Sequence, residues 1–156
     1  MNASTDRNSV SAPDDPSFFD LLAGSYARLL NRPLGAGSAS WLYHQAPFVV
    51  LAHDTGPDPR FVYANRAAQT CFGYSWDEFT ALPSRLSAEE MLREERQSIL
   101  EKVARDGFIA DYGGVRIAKS GRRFRISGTV IWQLIDDDGI VRGQAATFGD
   151  WSDIRA

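Results

Sequence analysis

From Val115 to Phe148 the chain reads as extended backbone interrupted at two places, and no other feature restricts its fold as strongly. The interruptions, Lys119-Ser120-Gly121-Arg122 and Asp136-Asp137-Asp138-Gly139, are hairpin signals separating strands at 115–118, 123–135 and 140–148. Two further strand candidates lie upstream at 48–52 and 61–64, joined by a segment with one glycine and two prolines. Everything between the two groups is helical in pattern. Strands at both ends of a helical block predict an α+β domain built on a five-stranded antiparallel sheet.

The helical signals are specific. Asp15 before Pro16 makes a helix start, and Phe18, Leu22, Tyr26 and Leu29 follow as an apolar stripe that ends at Asn31-Arg32-Pro33. Trp41-Leu42-Tyr43 reads as a short helix. Residues 65–82 read as short helical pieces broken at Gly73. Ser87, three residues before Glu90, predicts a capping box opening a longer helix. That helix stops at Gly107 and carries Leu92, Ile99 and Val103 on one face. The expected organisation is a disordered tail over 1–15, an N-terminal helical cap over 16–46 and a core over 47–152.

Composition narrows the class of partner. A net charge of −3 gives the surface no general attraction for nucleic acid or anionic membrane. The single cysteine, Cys71, allows no internal disulfide and suits a reducing compartment. Met1–Asp15 has no basic region followed by an apolar run, and no stretch reaches the roughly 20 apolar residues of a membrane span. A cytoplasmic protein is expected.

Residues 61–79, F-V-Y-A-N-R-A-A-Q-T-C-F-G-Y-S-W-D-E-F, resemble the core signature of PAS domains, with Asn65, Gly73, Tyr74, Ser75 and Glu78 at the matching positions. Gly149-Asp150-Trp151-Ser152 stands where such domains close their last strand. More closely, the chain is similar to the MEKHLA family of PAS-related domains. The matching pieces are F-V-V-L-A-H-D at 48–54, Y-A-N-R-A-A at 63–68, L-P-S-R-L-S-A-E at 82–89, G-V-R-I at 114–117, G-R-R-F-R-I at 121–126 and G-Q-A-A-T-F at 143–148. The resemblance spans about residues 18–151. It implies a PAS-like sheet with helices packed on one face, an N-terminal capping helix and a ligand, where there is one, on the concave face.

A four-residue loop at 119–122 predicts the pairs Ala118–Arg123, Ile117–Phe124 and Arg116–Arg125. Val115, Ile117, Phe124 and Ile126 then share the buried face, continued by Val130, Trp132 and Leu134. The expected pocket is lined by Phe124, Ile126, Trp132, Tyr63 and Phe72, with His53 and Gln144 as polar contacts. The plain alternative is that these side chains only fill the core. Arg116 opposite Arg125, with Arg123 close by, predicts either a solvated charged face or a site for an anion or an acidic partner. Ile131 and Ile135 fall on that outer face, where helix 16–30 is expected to cover them beside a homodimer contact.

Cofactor signals are weak. Photoactive flavin domains of the resembled class carry a cysteine within Asn-Cys-Arg after the Gly-Tyr segment, whereas Cys71 precedes it. Haem-binding relatives take a histidine from the long helix, and residues 88–106 contain none. His44 and His53 lack metal-site spacing, and no catalytic Ser–His–Asp order or phosphate loop is present. The favoured expectation is a sensory module, not an enzyme, that binds a small apolar or aromatic molecule and acts on a partner protein. A module that only dimerises or docks is the alternative, and a small enzyme on the same scaffold is third. Four residues follow Ser152, so any output is expected to pass to a separate protein.

Overall fold

The computed structural model of the chain describes residues 13–35, 37–88 and 93–154. The elements run α1 (Pro16–Leu30), α2 (Ala39–His44), β1 (Val49–His53), β2 (Phe61–Ala64), α3 (Arg66–Phe72) and α4 (Trp76–Phe79). A 3-10 turn (Ser84–Ser87), α5 (Arg93–Asp106), β3 (Phe108–Ile117), β4 (Arg123–Ile135), β5 (Val141–Phe148) and β6 (Asp150–Asp153) complete the chain. One antiparallel sheet has the order β2-β1-β5-β4-β3. β6 adds a sixth strand to the expected five: beyond Gly149 the chain goes on pairing with β4.

Local chemistry explains the helix ends. Asp15 accepts a hydrogen bond from Ser17 N and caps α1, while Asn31 closes it in the left-handed conformation. The expected tail lies outside the described residues as far as residue 12. Asp14 and Asp15 belong to the fold, since Asp14 also lies 3.8 Å from His44. Gly73, at φ +80°, ends α3. The expected capping box at Ser87 depends on a residue outside the described ones. Ser87 closes the 3-10 turn with its hydroxyl donating to Ser84 O at 2.7 Å, and Glu90, like Leu92, lies outside the described residues. Ser75 and Glu78 form a reciprocal capping box on α4, from the same S-x-x-E spacing.

Two cores lie on opposite faces of the sheet. On the outer face α1 lays Phe18, Leu22 and Tyr26 over Val50, Tyr63, Val130, Trp132 and Leu134. The Trp132 indole donates to Leu22 O at 3.1 Å, and Ser25 exchanges hydrogen bonds with the backbone of Ile135. On the inner face α3 and α4 pack Phe72 and Phe79 against Phe61, Phe124, Ile126 and Phe148.

The register corrects the expected faces. Ile117 pairs with Arg123, Arg116 with Phe124 and Val115 with Arg125, one residue away from the expectation. The loop takes five residues because Ala118 leaves the strand: its N–H bonds Arg122 O, and its methyl is buried in the inner core. Lys119 N bonds Phe72 O at 2.8 Å and pins the loop to the end of α3. A slip of one residue exchanges the faces of every side chain. Arg116 therefore turns inward beside Phe124, while Val115 and Ile117 turn outward with Arg125 and Arg123.

A second correction follows along β4. Gly114 pairs with Ile126 but Tyr112 with Thr129, so β4 uses three residues where β3 uses two, with Gly128 at φ +61°. Beyond this bulge the phase inverts. Val130, Trp132 and Leu134 lie on the outer face under α1, and Ile131 faces inward. α1 does cover its own sheet, as expected, but the side chains it covers are the aromatic ones and not Ile131. A similar irregularity between β1 and β2 sends Tyr63 outward and Phe61 inward.

Asn65 holds these parts together. Its Oδ1 accepts from Val50 N and Ala68 N, and its Nδ2 donates to Leu42 O and Phe48 O, all between 3.0 and 3.1 Å. Asn65→Ala leaves these four backbone groups unpaired, at about 1–3 kcal/mol each before relaxation, so a loss of at least about 3 kcal/mol is expected in urea unfolding. Thr129 offers the opposite case: its Oγ1 is buried with no protein hydrogen-bond partner among the described residues. Thr129→Val is expected to stabilise by about 1 kcal/mol in the same measurement.

Candidate functional site

A partly enclosed cavity of about 140 Å³ opens on the inner face, between the sheet and the segment that carries the 3-10 turn. Leu51, Phe61, Ile131 and Ala146 supply apolar walls; His53, Ser84, Ser87, Arg116 and Gln144 supply polar groups. The inversion along β4 is what delivers Ile131 here, and the one-residue slip of β3 delivers Arg116.

The roof is a strap, residues 83–88, tied at both ends by single backbone bridges. Arg60 pairs with Pro83 at one end and Ala88 with Arg116 at the other. The upstream end is also held by Ser84 N to Pro59 O at 2.8 Å and by Arg85 to Asp58 at 3.0 Å. At the far side of the cavity Gly143 lets β5 approach β1 closely, because a Cβ there would sit 2.2 Å from His53 O.

The polar groups have definable states. His53 Nδ1 lies 2.8 Å from Asp54 O. A carbonyl only accepts, so this contact assigns the proton to Nδ1 and leaves a lone pair on Nε2. Burial pulls the imidazole pKa below its ordinary 6.5, against the upward effect of the Asp54 carbonyl and carboxylate. The ring is therefore neutral at pH 7. The Arg116 guanidinium stands 5.6 Å from the centroid of the Tyr112 ring and bonds Val115 O at 3.3 Å.

The expected pocket residues divide between the two faces. His53 and Gln144 line the cavity. Phe72, Phe124 and Ile126 are fully buried on the inner side, where the rings of Phe72 and Phe124 lie edge to face at 5.2 Å as core packing. Tyr63 and Trp132 lie on the outer side of the sheet under α1, so they do not join the cavity. The expected arginine cluster is also divided. Arg123 and Arg125 remain on the outer face, while Arg116 stands across the sheet from them. Ile131, Ser84, Ser87 and Ala88 were missed by sequence reasoning, since alternation carried past a bulge assigns the wrong parity, and the strap has no periodicity of its own.

Cys71 lies elsewhere, 5% exposed on α3, with its carbonyl accepting from Arg122. Burial raises its thiol to about 11, partly offset by Arg122. Among the described residues no group of three His, Cys, Asp or Glu side chains is placed to hold a metal ion, and no helix is long and apolar enough to cross a membrane.

Comparison with known proteins places this geometry. The family model described as the MEKHLA domain matches residues 16–153. No curated protein matches. Among solved structures, a PAS domain from Colwellia psychrerythraea aligns with a TM-score of 0.59 at 15% identity, covering 74% of this chain and 92% of that one. A variant of Vivid aligns at 0.58 and 18% identity, over 84% of this chain and 99% of that one. The blue-light activated histidine kinase from Erythrobacter litoralis aligns at 0.54 and 20% identity, over 72% of this chain and 35% of the kinase, so the chain spans about a third of its length. The shared feature is the fold: a PAS or light-oxygen-voltage type of sheet with helices. A flavin held for cysteinyl chemistry does not fit this cavity. The cavity of about 140 Å³ is well below the roughly 300–1,000 Å³ of pockets for drug-sized molecules, and Cys71 does not line it.

The state of His53 has a measurable consequence. With a folded-state pKa below 6.5, the native protein resists a proton that the unfolded chain accepts. Its stabilising contribution is complete above about pH 6.5 and is lost as pH falls below that value. Urea unfolding at pH 7.5 and pH 5.0 is expected to show a smaller loss on acidification for His53→Gln than for the natural protein. Equal losses would remove the buried, neutral histidine from the site.

Proposed function

The chain belongs to the MEKHLA domain family, and on that premise we propose that it is a sensory module whose input is a ring-sized molecule held beneath the strap at 83–88. The observation that carries this reading is the cavity itself. Its floor is the sheet, through Leu51, Ile131 and Ala146, and its roof is a segment attached by one backbone bridge at its downstream end. A wholly apolar engineered cavity of about 150 Å³ accepts benzene, so this volume suits one ring with small substituents.

A molecule touching floor and roof together favours the closed strap, and it shifts the equilibrium only by the difference in its contacts with the closed and open states. The strap leads toward α5, whose described residues are mostly exposed and of which Val103 is buried. Such a helix is weakly held and moves at small cost, which makes it the natural output to a separate partner protein. The exposed strip of the outer face that carries Arg123 and Arg125 is the second surface available to a partner or to another copy of the chain.

The alternative, a module that only docks or dimerises, draws on the exposed apolar side chains of Leu86, Leu100 and Trp151. Native mass spectrometry and thermal shift with phenol and benzoate separate the two readings. Under the sensory reading, saturable binding raises the melting temperature and Ile131→Trp, which fills the cavity, abolishes it. Hydrogen exchange is then expected to slow at 84–88 and 93–106 on binding, with α1 unchanged. No binding by either probe, together with a concentration-dependent dimer, favours docking.

A further inference from the structure

Arg116 turns into the cavity from β3, and it alters the chemistry there. Among the described residues no carboxylate forms an ion pair with it. Its guanidinium is held by the Tyr112 ring and by a single bond to Val115 O. A half-buried arginine that spends, among the described residues, one of its five N–H donors on a hydrogen bond is a preorganised fork for a planar carboxylate. The other polar groups are of opposite type. The Ser87 hydroxyl donates its hydrogen to Ser84 O at 2.7 Å, so toward any further partner its oxygen accepts. His53 spends its N–H on Asp54 O, which leaves Nε2 as an acceptor.

We infer that the ligand of this cavity is a single-ring carboxylate that carries a hydroxyl or N–H donor away from its charged end. The carboxylate meets Arg116 at the strap, the ring rests against Leu51 and Ile131, and the donor is taken by His53 or Ser87. The inference rests on the ligand-binding reading above. It adds a closing device, since the strand position that grips the charge is also the one paired with Ala88.

Isothermal titration of the full chain with 4-hydroxybenzoate, benzoate, 4-hydroxybenzamide and phenol tests it. The expected order is 4-hydroxybenzoate first, with the amide weaker by about tenfold or more, because a charge-assisted bond to Arg116 is lost. Benzoate is expected to fall below 4-hydroxybenzoate by several-fold. Arg116→Gln is expected to weaken both carboxylates about tenfold and leave phenol unchanged, with phenol binding certifying the fold. If the variant does not fold, the comparison of carboxylate with amide on the natural protein decides. Equal affinity for acid and amide, or carboxylate binding unmoved by Arg116→Gln, overturns the inference while neutral-ring binding keeps the cavity a ligand site. Binding of no probe, charged or neutral, overturns both.

Discussion

Four hydrogen bonds to one buried side chain decide how this sheet meets its helices. Asn65 ends β2, caps α3, accepts from the backbone of β1 and donates to the carbonyls of Leu42 and Phe48. An asparagine amide offers two donors and an oxygen with two lone pairs, and here all are used. No other uncharged side chain of this size can tie two strands, a helix start and the end of α2 at a single point. With that point fixed, β1 is committed to burial on both faces, and its alternate residues feed two separate cores.

The two cores have different duties. The outer one joins α1 to the sheet through Trp132, Tyr26 and Tyr63 and makes the N-terminal helix an integral layer. The inner one is an aromatic block of Phe61, Phe72, Phe79, Phe124 and Phe148, closed by α3 and α4. The cavity occurs where this block stops and the strap takes over, because a 3-10 turn has too few apolar side chains to fill the space above Ile131. The site is therefore a consequence of the change in covering element, with the sheet beneath it continuous.

Much of the architecture is legible in the residues. The order of elements, the caps at Asp15, Asn65 and Gly73, the stop at Gly107 and the role of α1 as a cover all follow from local chemistry, which acts within a few residues. What eludes a reading of one sequence is parity. Alternation assigns faces within a strand, but a bulge at Gly128 or an alanine drawn into a loop at 118 shifts every later assignment by one. Neither event has a local signature as strong as its effect: Ala118 looks like the end of a strand, and Gly128 is one of thirteen glycines. His53 and Gln144 line the cavity together because no irregularity intervenes between their strands at that pair, whereas Tyr63, Trp132 and Arg116 each lie beyond one. The expected cluster of Arg116, Arg123 and Arg125 divides between the faces for the same reason.

Cys71 gives the molecule an internal clock. A thiol that stays protonated through the neutral range and is almost wholly covered reacts with alkylating reagents only when its cover opens. Because it is the single sulfhydryl in the chain, its rate of modification reports the opening of its surroundings, without any label introduced. The packing that makes this residue chemically silent thus turns it into a native gauge of how often the domain breathes.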